Sequence, residues 1–229
     1  MNCQKIKNKL KLMADEDYLR FHSSLCPGCS NILGIRTPKL KDFAKQLAKE
    51  PDILSFMDKP SFEFAEEIML YGFILARLKL TDSQRVPYLK NYVTHITSWA
   101  VCDSPTSAFK FIQKNRGFYY PLLEEYFASG KEYEARFAIV ALLDHYMTEQ
   151  YIDDILCKMT RLSCDAYYVK MAAAWTLSVC YIRFPEKTLA LFKSQTLDQF
   201  VHNKAIQKTC ESFRVTAEDK AMLRSLKMK

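Results

Sequence analysis

Glycine and proline are scarce in this chain, 5 and 8 among 229 residues. Sandwiches and barrels spend both freely in their turns, so the shortage excludes a many-stranded fold and favours long helices. No segment alternates strictly between apolar and polar residues, which removes the remaining signal for sheet. No apolar run approaches the roughly 20 residues that a membrane span needs. A basic, apolar, small-residue leader is also missing at the first positions. With eight cysteines scattered along the chain, the expectation is a reduced, cytoplasmic, monomeric protein with no membrane contact.

Only one CxxC occurs, Cys26-Pro-Gly-Cys29. A structural zinc ion needs a second ligand pair, and His22 is the only nearby candidate. A redox pair normally opens a helix after a strand, a context absent here. A plain loop is the simplest reading, and neither metal nor cofactor is expected. Cys102, Cys157, Cys164, Cys180 and Cys210 fall in helical patterns and read as small core residues. The 33 Lys+Arg against 26 Asp+Glu leave a net charge of +7. That excess suits a polyanionic partner without demanding one.

What the chain has in abundance is helix. An amphipathic basic segment at 3–22 precedes the turn-rich 23–35. Thr37-Pro38 opens a helix to about Lys49, Pro51 starts a short one, and Ser61 caps a long one through Lys79. Further helices are expected at 82–95, 98–115, 119–129, 131–147, 149–161, 165–183, 185–193, 196–213 and 216–227. Thr216 and Asp219 cap the last. Asp144 and His145, about 100° apart on their helix, read as surface or cap groups. Glu63, Glu66 and Glu67 read as acidic residues suited to a helix N-terminus.

Three of these helices share a register. Asp103, Phe137 and Met171 lie 34 residues apart (137−103, 171−137). In that frame Trp99 sits at −4, Asp103 at 0, Arg136 at −1 and Trp175 at +4. At about 100° per residue all four occupy an arc of roughly 140°. A 34-residue period of long and short helices predicts an all-α fold, a single right-handed α-solenoid of HEAT-like repeats over 1–229. Such a stack offers a concave face to an extended partner. Lys170 shares the slot of Arg136, and Lys204 and Lys208 follow one repeat later. With Arg36, Lys39 and Lys41 they form a strip of cations able to track a phosphate backbone.

A helical Trp is usually core, and an Asp four residues later is usually solvated. Their alignment with Arg136 and Trp175 favours a site instead. Indole faces attract cations, and a carboxylate stabilises the cationic sugar that develops as a glycosidic bond breaks. An N-alkylated purine is such a cation and leaves without strong acid catalysis. Arg136 would hold a phosphate, fixing the backbone without reading sequence.

The segments ILGIRTPKLKDFAKQL (32–47), SWAVCDS (98–104), EARFAIVALL (134–143), YYVKMAAAWTLSVC (167–180) and HNKAIQKTCESFRV (202–215) carry a resemblance to the AlkD family of DNA alkylation repair proteins. The resemblance covers nearly the whole chain. It implies a HEAT-like solenoid holding duplex DNA that contains alkylated bases, and a monofunctional glycosylase that removes 3-methyladenine and 7-methylguanine. It further implies that Asp103 is catalytic, that Trp99 and Trp175 cradle the lesion, and that Arg136 grips the backbone without base flipping into a pocket. Some relatives of this fold bind distorted or branched DNA without catalysis, which is the alternative expectation. A solenoid that binds only protein is the third.

Overall fold

The computed structural model describes residues 3–26 and 31–229. Pro27, Gly28 and Cys29, the rest of the expected CxxC loop, lie outside the described residues; Cys26 itself is buried. Among the described residues the chain forms fifteen helices and no strand. The all-α class read from the sequence is therefore correct. None of these helices is long and apolar enough to cross a membrane. The chain divides into two compact units, Met1–Phe118 and Tyr119–Lys229.

The first unit holds α1 (Cys3–Lys11), α2 (Glu16–Leu25), α3 (Thr37–Leu47), α4 (Ile53–Asp58), α5 (Ala65–Leu75), α6 (Asp82–Thr94), α7 (Trp99–Ala108) and α8 (Lys110–Lys114). Its centre is α5, which is buried at every position from Glu66 to Leu75. A helix apolar all round has to be enclosed, and α5 packs against α1, α3, α6 and α7. Gly72 permits the crossing with α7. A Cβ there would lie 2.7 Å from Pro105 Cβ and 2.9 Å from Tyr92 Cε2.

The second unit contains most of α9 (Arg116–Ala128), then α10 (Glu132–His145), α11 (Ile152–Met159), α12 (Tyr167–Arg183), α13 (Pro185–Ser194), α14 (Gln199–Glu211) and α15 (Ala217–Ser225). Here α10 is the enclosed helix, buried from Ala135 to Leu143. It packs on α12, which packs in turn on α14. The buried Ala172, Ala173 and Ala174 leave α12 narrow enough for close neighbours. The first residues of α7, α10, α12 and α14 are 33, 35 and 32 positions apart (132−99, 167−132, 199−167). The period read in the sequence is thus a period of helix starts.

Several expectations change. The 3–22 segment is two helices, because Asp15 caps α2 by accepting from the Tyr18 N–H at 2.9 Å. The 98–115 segment breaks at Phe109, whose ψ of 58° leaves the helical region while its ring packs edge-on to Tyr92 at 5.4 Å. Helix α5 begins at Ala65, not after Ser61, since Glu67 accepts from the Glu63 and Phe64 N–H groups at 2.7 and 2.9 Å. His145 is buried at 1% exposure, not a surface group. Cys102 and Cys180 are core residues, whereas Cys157 is exposed.

Gly34 is the position where backbone freedom matters most. Its φ is +79°, and a Cβ would lie 2.5 Å from Leu19 Cβ and 2.8 Å from the Asp15 carbonyl oxygen. That oxygen and Cβ belong to the start of α2, and the Gly34 carbonyl accepts from Asp15 N–H at 3.1 Å. Gly34→Ala combines left-handed strain with a backbone clash, so a loss of about 2–4 kcal/mol is expected. Urea denaturation of the two proteins checks it.

Candidate active site

Helix α7 carries the indole and the carboxylate. Ser98 caps it, its Oγ accepting from Val101 N–H at 3.3 Å. Trp99 is the first helical residue and Asp103 follows four positions later. Four residues turn a helix by about 400°, so the two side chains project about 40° apart, one above the other. Both are half-buried. They line a cleft of about 140 Å³ together with Tyr18 and His22 of α2, Ile35 just before α3, Thr37 at its first position, and Met69 of α5.

Pro105 sits inside α7 and supplies no N–H to the carbonyl four residues earlier. Tyr92 compensates. Its buried hydroxyl donates to the Val101 carbonyl at 2.6 Å and approaches that of Cys102 at 3.2 Å. Thr106 Oγ1 also donates to the Cys102 carbonyl, at 2.6 Å. Enclosure of Tyr92 pushes its phenol well above the ordinary range, so it remains a donor. Tyr92→Phe orphans the Val101 carbonyl directly beneath the Trp99–Asp103 turn. A loss of about 1–3 kcal/mol is expected, measurable by chemical denaturation, with little change in helix content by circular dichroism.

The opposite wall is set by a carboxylate that does more than complement a helix dipole. Glu66, 1% exposed, accepts from three successive backbone groups: Leu33 N–H at 3.0 Å, Gly34 N–H at 2.8 Å and Ile35 N–H at 3.2 Å. These bonds fix the extended residues that lead into Thr37. Arg36, exposed at the mouth of this segment, donates through Nε to Asp15 Oδ2 at 2.9 Å and lies 5.1 Å from the Tyr18 ring centre. The Asp15 carboxyl is held below the usual range by the Tyr18 N–H and by Arg36. The only nearby sequence cue for Glu66 was its place ahead of the unbroken apolar run IMLYGFIL.

The other expected site residues lie in the second unit. Arg136 is only 5% exposed, donating from Nη1 to the Tyr168 carbonyl at 2.6 Å with that ring 6.0 Å away. Lys170 lies between Asp165 at 2.5 Å and Asp198 at 3.1 Å, which raises its ammonium above the ordinary lysine range. Trp175 is half-buried two turns into α12, and its carbonyl accepts from Ser178 Oγ at 2.7 Å. Lys204 and Lys208 sit one turn apart on α14. Lys204 donates to Gln207 at 3.0 Å and lies 5.9 Å from the Phe200 ring.

Trp99 and Asp103 thus share one cleft, Arg136 meets the first turn of α12, which carries Lys170, and Lys204 and Lys208 share a face of α14. The common register does not give common exposure: Asp103 and Met171 are half-buried, but Phe137 is fully enclosed, edge-on to Tyr126 at 5.6 Å. Tyr18 and His22, at i, i+4 on one face of α2, line the cleft, a place that the CxxC beside His22 does not suggest. Among the described residues no group of three or more His, Cys, Asp or Glu side chains could hold a metal ion.

Fold and site together define an all-helical protein with a small indole–carboxylate cleft at the start of one helix. Residues 6–209 match the sequence model of the DNA alkylation repair enzyme family. The match spans most of the chain, and the protein belongs to that family. No curated relative and no solved structure matches the chain.

Proposed function

We propose that this protein is a monofunctional DNA glycosylase that hydrolyses the N-glycosidic bond of positively charged N3- and N7-alkylpurines in duplex DNA. The observation that carries the reading is the Trp99–Asp103 pair, an indole and a carboxylate one turn apart at the edge of one cleft. Trp99 and Trp175 are both half-buried, and an indole face attracts a cationic group.

In this reading Trp99 takes the charged nucleotide and Asp103 stabilises the oxocarbenium sugar. The C1′–N bond breaks with its electron pair leaving on the purine, which departs neutral and needs no proton from the protein. Water adds to C1′ and gives up a proton. The cleft of about 140 Å³ is well below the roughly 300–1,000 Å³ of a pocket that encloses a ligand. That size supports a lesion handled at the surface over a base swallowed whole.

The helix pairs are read as HEAT-like repeats, as the 34-residue period supports, with Arg36, Arg136, Lys170, Lys204 and Lys208 assigned to the DNA backbone. Lys204 and Lys208 suit that role most directly. Lys170 reaches a phosphate only by leaving Asp165 and Asp198, and Arg136 only from a buried position. Incubation with duplex containing 7-methylguanine should produce alkali-labile abasic sites. Duplex binding without abasic sites would replace the glycosylase with a binder of distorted DNA. Absence of salt-dependent duplex binding would remove both readings.

A further inference from the structure

Helix α2 contributes two rings to the cleft, Tyr18 and His22, whose centres are 5.6 Å apart. The two nitrogens of His22 have different surroundings. Nδ1 is buried without a hydrogen-bond partner. The residue as a whole is only partly buried, which leaves Nε2 as the nitrogen open to solvent. Orphaned buried N–H groups are rarer in proteins than under-satisfied acceptors. The tautomer assigned on this ground to the neutral ring has its proton on Nε2, a donor on the open side.

Asp103 lines the same cleft from α7. A cleft of about 140 Å³ has room for a water molecule between the two helices. We propose that His22 is a positioning residue that fixes the hydrolytic water between α2 and α7, an inference that rests on the glycosylase reading. Nε2–H donates to the water oxygen, the water donates one proton to the Asp103 carboxylate, and its second lone pair is left facing C1′. As the C1′–N bond breaks onto the purine, the water oxygen bonds to C1′ and its proton passes to Asp103 and then to solvent. Tyr18 packs beside the imidazole and Arg36 lies over Tyr18, so the ring is held by neighbours that are themselves anchored through Asp15.

Side-chain isosteres test the assignment. Glutamine can place an amide N–H near the position of Nε2, whereas asparagine places its amide near Nδ1. Base release is measured under single turnover with 7-methylguanine duplex, alongside duplex affinity, for wild type, His22→Ala, His22→Gln and His22→Asn. Ala and Asn should slow release about 10- to 100-fold at saturating enzyme with affinity maintained, and Gln should recover most of the rate. An Ala variant as fast as wild type overturns the proposal, as does equal loss in Gln and Asn, or a loss confined to affinity. If the Ala variant does not fold, the Gln–Asn pair decides. Failure of wild type to release base overturns this inference together with the glycosylase reading; an active wild type with an unaffected Ala variant overturns this inference alone.

Discussion

Asp103→Asn is expected to lower the single-turnover rate of methylpurine release by about 100- to 1,000-fold, the usual cost of deleting one electrostatic stabiliser of a developing charge. Asparagine matches aspartate in shape, so the α7 turn, the Ser98 cap and the Trp99 indole should stay in place. Affinity for intact duplex should consequently change by less than about threefold, the pattern of an interaction made mainly in the transition state. Rate at saturating enzyme and affinity by fluorescence anisotropy separate the two. A variant that loses affinity and keeps its rate would place Asp103 in binding and not in chemistry.

Glu66→Ala should have the largest effect on stability. The substitution strips the acceptor from the N–H groups of Leu33, Gly34 and Ile35, two of them buried, and leaves a void beneath them. A loss of about 3–5 kcal/mol is expected, or roughly 10 °C in Tm for a chain of this size. Glu66→Gln keeps one oxygen but turns an amide NH₂ toward backbone donors, so it should cost about 1–3 kcal/mol. Ile35 and Thr37 form part of the cleft wall, and both variants should therefore also slow base release at temperatures where they remain folded. Thermal unfolding of the three proteins checks the ranking; a Gln variant less stable than the Ala variant would contradict it.

Much of this architecture was readable from local chemistry. The scarcity of glycine and proline gave the helical class, and Thr216 with Asp219 announces a helix start that forms as a capping group. The 34-residue spacing gave the recurrence of α7, α10, α12 and α14. It did not give exposure, because burial depends on what packs around each helix: α10 is enclosed on all sides, and so Phe137 and Arg136 are inside. Charge runs were equally ambiguous. Lys170 appears in sequence as one more cation of a strip, yet Asp165 and Asp198 come to it from residues five earlier and 28 later.

The same limit applies to the candidate site. Trp99 and Asp103 were legible because both lie on one helix at i, i+4. Glu66 was not, because its three partners are over 30 residues away and are backbone groups with no side-chain signature. Nor was His22, which in sequence stands beside a CxxC and invites a metal reading. Its relation to Asp103 depends on Gly34 allowing α2 to lie directly against the segment before α3.

The central claim is that positive charge on the purine selects the substrate. It is tested most directly by comparing release of 7-methylguanine with release of hypoxanthine, a neutral damaged purine, from otherwise identical duplexes. The account predicts release of the cationic base alone, with an abasic site left in its place. Equal release of both bases, or release of neither, would contradict it.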